Sequence, residues 1–305
     1  MTSHRILFIA PTRIGDAVLA TSILRHLLAN APTAKITIVT SPLAAPLYEG
    51  YPLLERIIPI TKRTYNRHWL EVWREAIGTK WAAVWDMRGS VLSFLLRIGK
   101  RHVYTKQKPG MPKVKQYEKA FGIAPLPPPI LWPSAADIAQ AEALMPAPAK
   151  YLIFAPMANW LPKEWPLEHF IALAKILLEG DYAGYRPIII CAANERPRAL
   201  PMVEALSHYR PLDLTEGTTP LLTLYAIMQR VNGFVGNDSG LMHMACAAGT
   251  PTIGLFGPTP NIGDNAPHVR FLYAPNSDLA QLMPNTVAQM FTKQLSTANS
   301  DAHVA

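Results

Sequence analysis

Val235-Gly236-Asn237-Asp238-Ser239-Gly240-Leu241-Met242-His243, followed by Gly249-Thr250-Pro251 and Phe256-Gly257-Pro258-Thr259, is the stretch whose reading decides the fold. It predicts a short apolar strand, a polar turn, a helix from about Gly240 to Ala248, and a further strand from Thr252 to Phe256. That succession is the repeating unit of a doubly wound parallel sheet. The turn gathers Asp238, Ser239 and the free amides of a helix N-terminus at one spot. Those amides carry partial positive charge and favour a phosphate. Asp238 and Ser239 add a helix cap or a partner for a sugar hydroxyl. A nucleotide diphosphate suits such a turn.

Outward from this turn, strand–helix alternation fills both halves of the chain. Strands are expected at Arg5–Ala10, Lys35–Thr40, Arg56–Ile60, Trp81–Met87 and His102–Thr105, with helices at about Asp16–Ala29, Tyr65–Ile77 and Ser90–Ile98. The second half gives strands at Tyr151–Ala155, Pro187–Cys191, Val231–Gly236 and Thr252–Phe256. Its helices are expected to open on Pro166, Pro201 and Pro220, where a missing amide costs nothing, and two of them end at Gly180 and Gly249. Between the halves, Ala124 to Pro148 carries seven prolines and reads as a semi-rigid connector. Two domains follow, 1–148 and 149–305, the second ending in a helix and a polar tail, Ser296–Ala305, expected to fray.

Half of the 305 residues are hydrophobic and 16% are charged, which excludes a disordered chain. No apolar run approaches the ~20 residues of a membrane span. Arg5 precedes a short apolar run that Arg13 and Asp16 interrupt, the pattern of a first strand and not of a signal peptide. Two cysteines, Cys191 and Cys246, are too few for a disulfide framework and fit a reducing cytoplasm. Charge is uneven. Residues 1–150 hold 20 Lys and Arg against 9 Asp and Glu, while residues 151–305 hold 9 against 12. One domain is thereby expected to meet an anionic partner. A nucleic-acid partner is not indicated, because no aromatic-interleaved basic repeat or recognisable module is present.

Sites in open parallel sheets form beyond the carboxyl ends of the strands, so three loops should carry the chemistry. Pro11-Thr12-Arg13-Ile14-Gly15-Asp16 lacks the G-x-G-x-x-G fingerprint of dinucleotide binding. Asp16 in it reads either as an N-cap or as a carboxylate able to take a proton from a hydroxyl. The loop from Pro156 to Pro166 places Lys163 just before a helix, where it would help neutralise a phosphate or else pair with Glu164 or Glu168 at the surface. The Asp238-Ser239-Gly240 turn is the third. His243, one turn into its helix, reads as a core histidine in preference to a catalyst. Ala192-Ala193-Asn194-Glu195 and Glu216-Gly217-Thr218-Thr219 fall on further strand-end loops suited to ribose and base contacts, or to ordinary caps. Lys106 to Lys119, with five lysines, reads as a mobile loop, either solvated or gripping an anion. The nine aspartates show no D-x-D or D-D, so metal ligation is not expected, and Lys163 with helix amides must then neutralise a phosphate leaving group.

Gly15-Asp16 after the first strand, Lys163-x-Trp165-Pro166 before a helix, and Gly236-x-Asp238-Ser239-Gly240-x-x-His243 with Phe256-Gly257-Pro258-Thr259 together resemble glycosyltransferase family 9, known for ADP-heptose:lipopolysaccharide heptosyltransferases. The motif order spans roughly residues 5 to 260. The resemblance implies a GT-B architecture, two Rossmann-like doubly wound domains facing across a cleft, with metal-independent inversion at the anomeric carbon. The N-terminal domain would hold the acceptor and the C-terminal domain the nucleotide sugar, in agreement with the charge split. It implies Asp16 as general base, Lys163 as phosphate clamp, and Asp238, Ser239, Gly240 and Leu241 as the diphosphate turn. Three departures stand out. Ser22 occupies a position where the family often has Pro, and Asn159 alone replaces the family's hydroxyl residues around positions 158 and 159. The segment around Asn194-Glu195 is also about a residue shorter.

The expected activity is thus transfer of a sugar, heptose from ADP-heptose by resemblance, to a lipopolysaccharide core acceptor, with a nucleotide sugar as substrate and no cofactor. Candidate donor-binding residues are Lys163, Asn159, Asp238, Ser239, Gly240 and Leu241 at the diphosphate and Glu195, Thr218 and Thr219 at the nucleoside. Candidate acceptor-binding residues are Arg13, Arg88, Lys113 and Lys115. The partner would be an anionic, lipid-linked saccharide. Its location implies a cytoplasmic protein in contact with the inner face of the membrane. The alternatives are a different nucleotide sugar, or a non-catalytic nucleotide-sugar-binding or assembly protein of the same fold.

Overall fold

The structure, a computed structural model, describes residues 4–61, 67–107, 110–259 and 266–302. Among the described residues the chain divides into two compact units, 4–132 and 133–302.

The first unit runs β1 (Arg5–Ile9), α1 (Ile14–Asn30), β2 (Lys35–Thr40), β3 (Leu54–Pro59), α2 (His68–Ala76), β4 (Trp81–Asp86), β5 (Ile98–Val103) and α3 (Lys113–Phe121). Its sheet is parallel in the order β3-β2-β1-β4-β5. The chain winds outward from β1 to β3, then crosses back to start β4 on the other side of β1. The loops after β1 and β4 therefore diverge at the switch point, where open α/β sheets leave a crevice. Leu7, Ile9, Val39, Ile58, Val72, Trp81 and Val84 form a core on one face of this sheet.

The second unit opens with α4 (Ala135–Leu144), followed by β6 (Tyr151–Ala155), α5 (Leu167–Glu179), β7 (Arg186–Ile190), α6 (Arg196–Ala205), β8 (Leu212–Leu214), α7 (Leu221–Met228), β9 (Gly233–Asn237), α8 (Gly240–Ala247), β10 (Thr252–Phe256), β11 (Val269–Tyr273) and α9 (Pro284–Ala302). Strand order is β11-β10-β9-β6-β7-β8, all parallel, the doubly wound order of a dinucleotide fold with its switch point between β6 and β9. Every residue of β6, β9 and β10 is buried, as expected for central strands covered by helices on both faces.

Several boundaries differ from the sequence expectation. The division between units falls at Trp132/Pro133 and not near Ala149. The reason is local. Ser134 and Asp137 form a reciprocal capping box that starts α4, and Thr223 of α7 donates to Asp137 Oδ1 at 2.9 Å. Ala135–Leu144 thus belongs to the second unit, and the connector is shorter than its prolines suggest.

The helix expected over Ser90–Ile98 is a single 3₁₀ turn, Val91–Phe94, followed by β5. The fully buried Asp86 carboxylate takes the amides of Arg88 and Ser90 and the Ser90 hydroxyl, at 2.6–2.9 Å, and so organises this turn. β5 is an edge strand carrying Lys100 and Arg101, which hide its period. The Lys106–Lys119 segment expected as a loop contains the start of α3 at Lys113; Lys108 lies outside the described residues, as does Tyr65 at the start of the helix expected over 65–77. Pro201 sits inside α6, with Pro197 in the first-turn position instead. The tail expected to fray from Ser296 continues α9 to Ala302, and 303–305 lie outside the described residues.

Candidate active site

In the second unit the loops after β6 and β9 converge because those strands are neighbours at the switch point. Asn237, fully buried at the end of β9, ties the two loops together. Its Nδ2 donates to Pro156 O at 2.7 Å and its Oδ1 accepts the Trp165 amide at 3.0 Å. Trp165 is buried and its indole donates to Leu282 O at 2.8 Å, anchoring the start of α5. Between these anchors the chain makes a 3₁₀ turn, Leu161–Lys163, which delivers Lys163 to the next strand's turn.

Lys163 Nζ donates to Asp238 Oδ2 at 2.6 Å, and the Thr259 hydroxyl donates to the same oxygen at 2.8 Å. His243 Nε2 approaches the other oxygen, Oδ1, at 3.8 Å. The pair is largely enclosed, with the Lys163 side chain 21% and the Asp238 side chain 8% exposed. Glu164 is engaged elsewhere, accepting the Ala158 amide at 2.8 Å and pairing with Arg198. The surface pairing of Lys163 with Glu164 is thereby excluded. Ser239 occupies the N-cap position of α8 in extended backbone, yet its hydroxyl does not cap the helix. Ser239 Oγ is buried and has no hydrogen-bond partner among the described residues. Gly240 and Leu241 open the helix, half-buried, so the turn presents backbone amides beside an ammonium group.

The loops after β7 and β8 meet next to this turn's sheet. Gly217 has φ +67, and a Cβ there would lie 2.7 Å from the Ala193 amide nitrogen. Only glycine lets the Glu216–Thr219 loop approach the Ala193–Glu195 turn so closely. Glu195 is buried, with Oε2 accepting the Ala192 amide at 3.0 Å, an internal cap. Arg196 beside it donates to Asp213 Oδ2 at 3.1 Å and to Thr215 Oγ1 at 2.5 Å. Burial alone would raise the Asp213 carboxyl, but hydrogen bonds from Thr215 and pairing with Arg196 outweigh it and hold the group below the usual carboxylate range. Burial pushes the neighbouring Cys191 thiol up to about 12, which keeps it protonated and unreactive. Thr218 is exposed and Thr219 half-buried.

In the first unit α1 begins at Ile14, with Arg13 in the N-cap position and Asp16 half-buried in the first turn. Asp16 therefore does not cap the helix, and the cap reading of this residue is set aside. Two buried tyrosines sense its charge. Burial first and Asp16 second raise the Tyr48 and Tyr117 hydroxyls well above the ordinary tyrosine value, so both stay protonated. Tyr48 donates to Ala17 O at 3.2 Å, whereas the fully buried Tyr117 hydroxyl has no partner among the described residues. Lys113 Nζ lies 3.3 Å from Tyr104 Oη and above the rings of Tyr104 and Tyr117, at 4.5 and 5.4 Å. This cation–π seat holds an ammonium next to the tyrosine cluster.

Residues 70–270 match the sequence profile of glycosyltransferase family 9 (heptosyltransferase). The chain belongs to that family. Among its relatives, lipopolysaccharide heptosyltransferase 2 of Salmonella typhimurium is 25% identical over 312 residues, covering 88% of each chain. Lipopolysaccharide core heptosyltransferase OpsX of Haemophilus influenzae is 25% identical over 272 residues, covering 80% of this chain and 76% of that protein. Of solved structures, E. coli ADP-heptose lps heptosyltransferase II superposes with a TM-score of 0.76 at 20% identity, over 97% of this chain and 99% of the other. E. coli heptosyltransferase WaaC with ADP gives 0.73 at 21%, over 95% and 99%. At such identities the structural likeness is one of fold, and it is the two-domain GT-B fold that the motifs imply.

Within this family 9 glycosyltransferase the expected residues fall into groups. Lys163, Asp238, Ser239, Gly240 and Leu241 are brought together at one switch point. Asn159 is exposed on the turn before Lys163. Glu195, Thr218 and Thr219 lie on touching loops, although the Glu195 carboxylate is spent on a backbone amide. Arg13 is exposed, and the Arg88 guanidinium stacks 4.9 Å from the Trp69 ring. Lys113 and Lys115 are separated: Lys113 turns onto the tyrosines while Lys115 pairs with Glu118 at 2.9 Å. Residues two apart on a helix point to opposite sides, which the loop reading could not anticipate. Sequence reasoning also missed Asn237, Thr259, Asp86, Tyr117 and the Arg196–Asp213–Thr215 cluster. Asn237 and Thr259 stood inside the quoted motifs, and Asp213 lies in a strand of three residues, too short to show a period.

Proposed function

We propose that this family 9 enzyme transfers a heptose from ADP-heptose to a lipopolysaccharide core acceptor, with inversion and without a metal ion. The observation that carries the reading is Lys163 on Asp238 at the mouth of α8, with Thr259 on the same carboxylate. Its relatives are named lipopolysaccharide heptosyltransferases, and one structure that shares its fold was solved with ADP. A donor diphosphate at this turn meets the Lys163 ammonium and the Gly240 and Leu241 amides, and the Ser239 hydroxyl offers a donor to a phosphate oxygen. As the bond to the anomeric carbon breaks, the charge growing on the departing diphosphate falls to these groups. No cofactor is required in this scheme. Among the described residues no three His, Cys, Asp or Glu side chains are grouped to hold a metal ion.

Asp16 takes the proton of the acceptor hydroxyl as that oxygen attacks, a single displacement that inverts the anomeric carbon. Lys113, and the exposed Arg13, supply positive charge for an anionic acceptor. The nucleoside is assigned to the Ala193–Glu195 and Glu216–Thr219 loops. The protein works in the cytoplasm on an acceptor anchored in the inner membrane; no helix among the described residues is long and apolar enough to cross one. Incubating the purified enzyme with ADP-, UDP- and GDP-sugars and reading thermal shift tests the donor. Stabilisation by ADP-heptose alone is expected, and selective stabilisation by a UDP- or GDP-sugar would replace the donor assignment.

A further inference from the structure

The first unit carries an apolar face that its own fold does not cover. Val91, Phe94 and Leu95 on the turn after β4 are 71%, 64% and 60% exposed, and Leu70 and Ile77 of the neighbouring α2 region are exposed as well. Trp73 joins the two segments by donating its indole N–H to Leu95 O at 3.3 Å. Between them lies an open groove of about 720 Å³, walled by Trp69, Leu70, Trp73, Val91 and Leu95 with Arg88 at its side. Apolar groups this large and this close are not scattered surface residues and mark an interaction surface.

Its surroundings are basic. Residues 67–101 hold seven Lys and Arg against three acidic residues. Of those three, Asp86 is fully buried and Glu75 is paired with Arg56. Arg67, Leu70, Arg74 and Ile77 recur at the three- and four-residue spacing of one helical stripe, all exposed. Arg101 donates to Ser93 O at 2.9 Å and Leu96 O at 3.2 Å, so a guanidinium sits against the apolar turn itself, and the exposed Arg97 and Lys100 follow it. Indole rings beside aliphatic side chains, ringed by Arg and Lys, match the chemistry of a bilayer interface with anionic headgroups. A second copy of the chain fits less well, because a two-fold contact would set the same basic rim against itself.

We propose that this face docks the chain onto an anionic phospholipid bilayer, with Val91, Phe94 and Leu95 entering the acyl region and the Arg and Lys side chains at headgroup level. The proposal rests on the reading that the acceptor is lipid-linked, and it names the surface that reads the membrane.

The test is co-sedimentation of the full chain with vesicles of phosphatidylcholine alone and of phosphatidylcholine with phosphatidylglycerol, without donor or acceptor. Wild type is expected to pellet with the anionic vesicles and not with the neutral ones, less so as salt rises. Val91→Ser/Phe94→Ser/Leu95→Ser should lower that partitioning by about tenfold or more while keeping the wild-type melting temperature, since all three side chains are exposed. Arg97→Glu/Lys100→Glu should lower it too and remove the salt dependence, a second arm that does not depend on the first variant folding. Equal pelleting of wild type and both variants would overturn the proposal. So would a wild type that ignores vesicles but is dimeric by light scattering and monomeric in the triple variant, which would make this a self-association surface. Transfer to a soluble, lipid-free acceptor separates the two readings. Transfer without vesicle binding defeats only the docking surface, and vesicle binding without any transfer defeats only the proposed reaction.

Discussion

Lys163 Nζ lies 2.6 Å from Asp238 Oδ2, across a gap of 75 residues, in a pocket where the carboxylate is nearly sealed from water. The ammonium that the phosphate reading requires is therefore held in place by a buried counter-charge. Thr259 from the end of the next strand completes the arrangement. The same contact links the fold to the chemistry, because the crossover of the doubly wound sheet is what sets β9 beside β6.

Lys163→Ala should weaken ADP binding and turnover together. It should also cost stability, about 1–3 kcal/mol, since Asp238 loses its cation while remaining buried. The double variant Lys163→Ala/Asp238→Ala should regain part of that stability and none of the ADP affinity. Calorimetry with ADP and thermal melts of the three variants check both halves. Full ADP affinity in Lys163→Ala would remove this residue from the donor site.

Saturating EDTA should leave the transfer rate nearly unchanged, because Lys163 and the α8 amides are proposed to meet the leaving charge. A large loss restored by Mg2+ or Mn2+ would overturn the metal-independent scheme.

Asp16→Asn should fold normally. Asp16 is in the first turn of α1 and not at its cap, so its charge is worth only about 0.3–1 kcal/mol to the helix dipole. Loss of a general base should lower the rate by about 10²–10⁴-fold. ADP affinity should be unchanged. A folded variant with wild-type turnover would return Asp16 to a purely structural role.

The two lysines of α3 should behave differently. Lys113→Gln is expected to raise the acceptor KM and flatten its salt dependence, since Lys113 stands over the tyrosines near the Asp16 charge. Lys115→Gln should leave acceptor kinetics alone and cost about 1–2 kcal/mol, because the Glu118 carboxylate it pairs with is largely buried, although that carboxylate keeps the Leu126 amide. Equal effects of the two substitutions on KM would contradict the separation.

Asp213 gives a pH signature. Its carboxyl is held below the usual range in the folded protein, so it adds stability above its unfolded-state pKa, about 3.9, and loses that contribution as pH falls through the folded-state value. The difference in melting temperature between wild type and Asp213→Asn should be steady from neutral pH down to about 5 and shrink below about 4. A difference as large at pH 3 as at pH 7 would show that the ionised pair with Arg196 contributes nothing.

The periodic apolar strands, the prolines and glycines that punctuate them and the Asp238-Ser239-Gly240 turn made the doubly wound architecture legible from residue order alone. Those features act between near neighbours, where backbone dihedrals and a few side-chain contacts decide the outcome. The capping box at Ser134 and Asp137 was equally local but was masked by the surrounding prolines, and the domain boundary shifted with it. What residue order left open was pairing at a distance. Lys163 had Glu164 beside it and Asp238 far along the chain, yet Glu164 is taken by Arg198 and Lys163 by Asp238. Asp16 read as a cap or as a base, and the start of α1 two residues earlier removes the cap reading alone. Lys113 and Lys115 looked equivalent until a helix turned them to opposite sides. Such choices depend on which strands lie adjacent and which way a helix face points, and only the assembled sheet, with its buried charges forced to find partners, decides them.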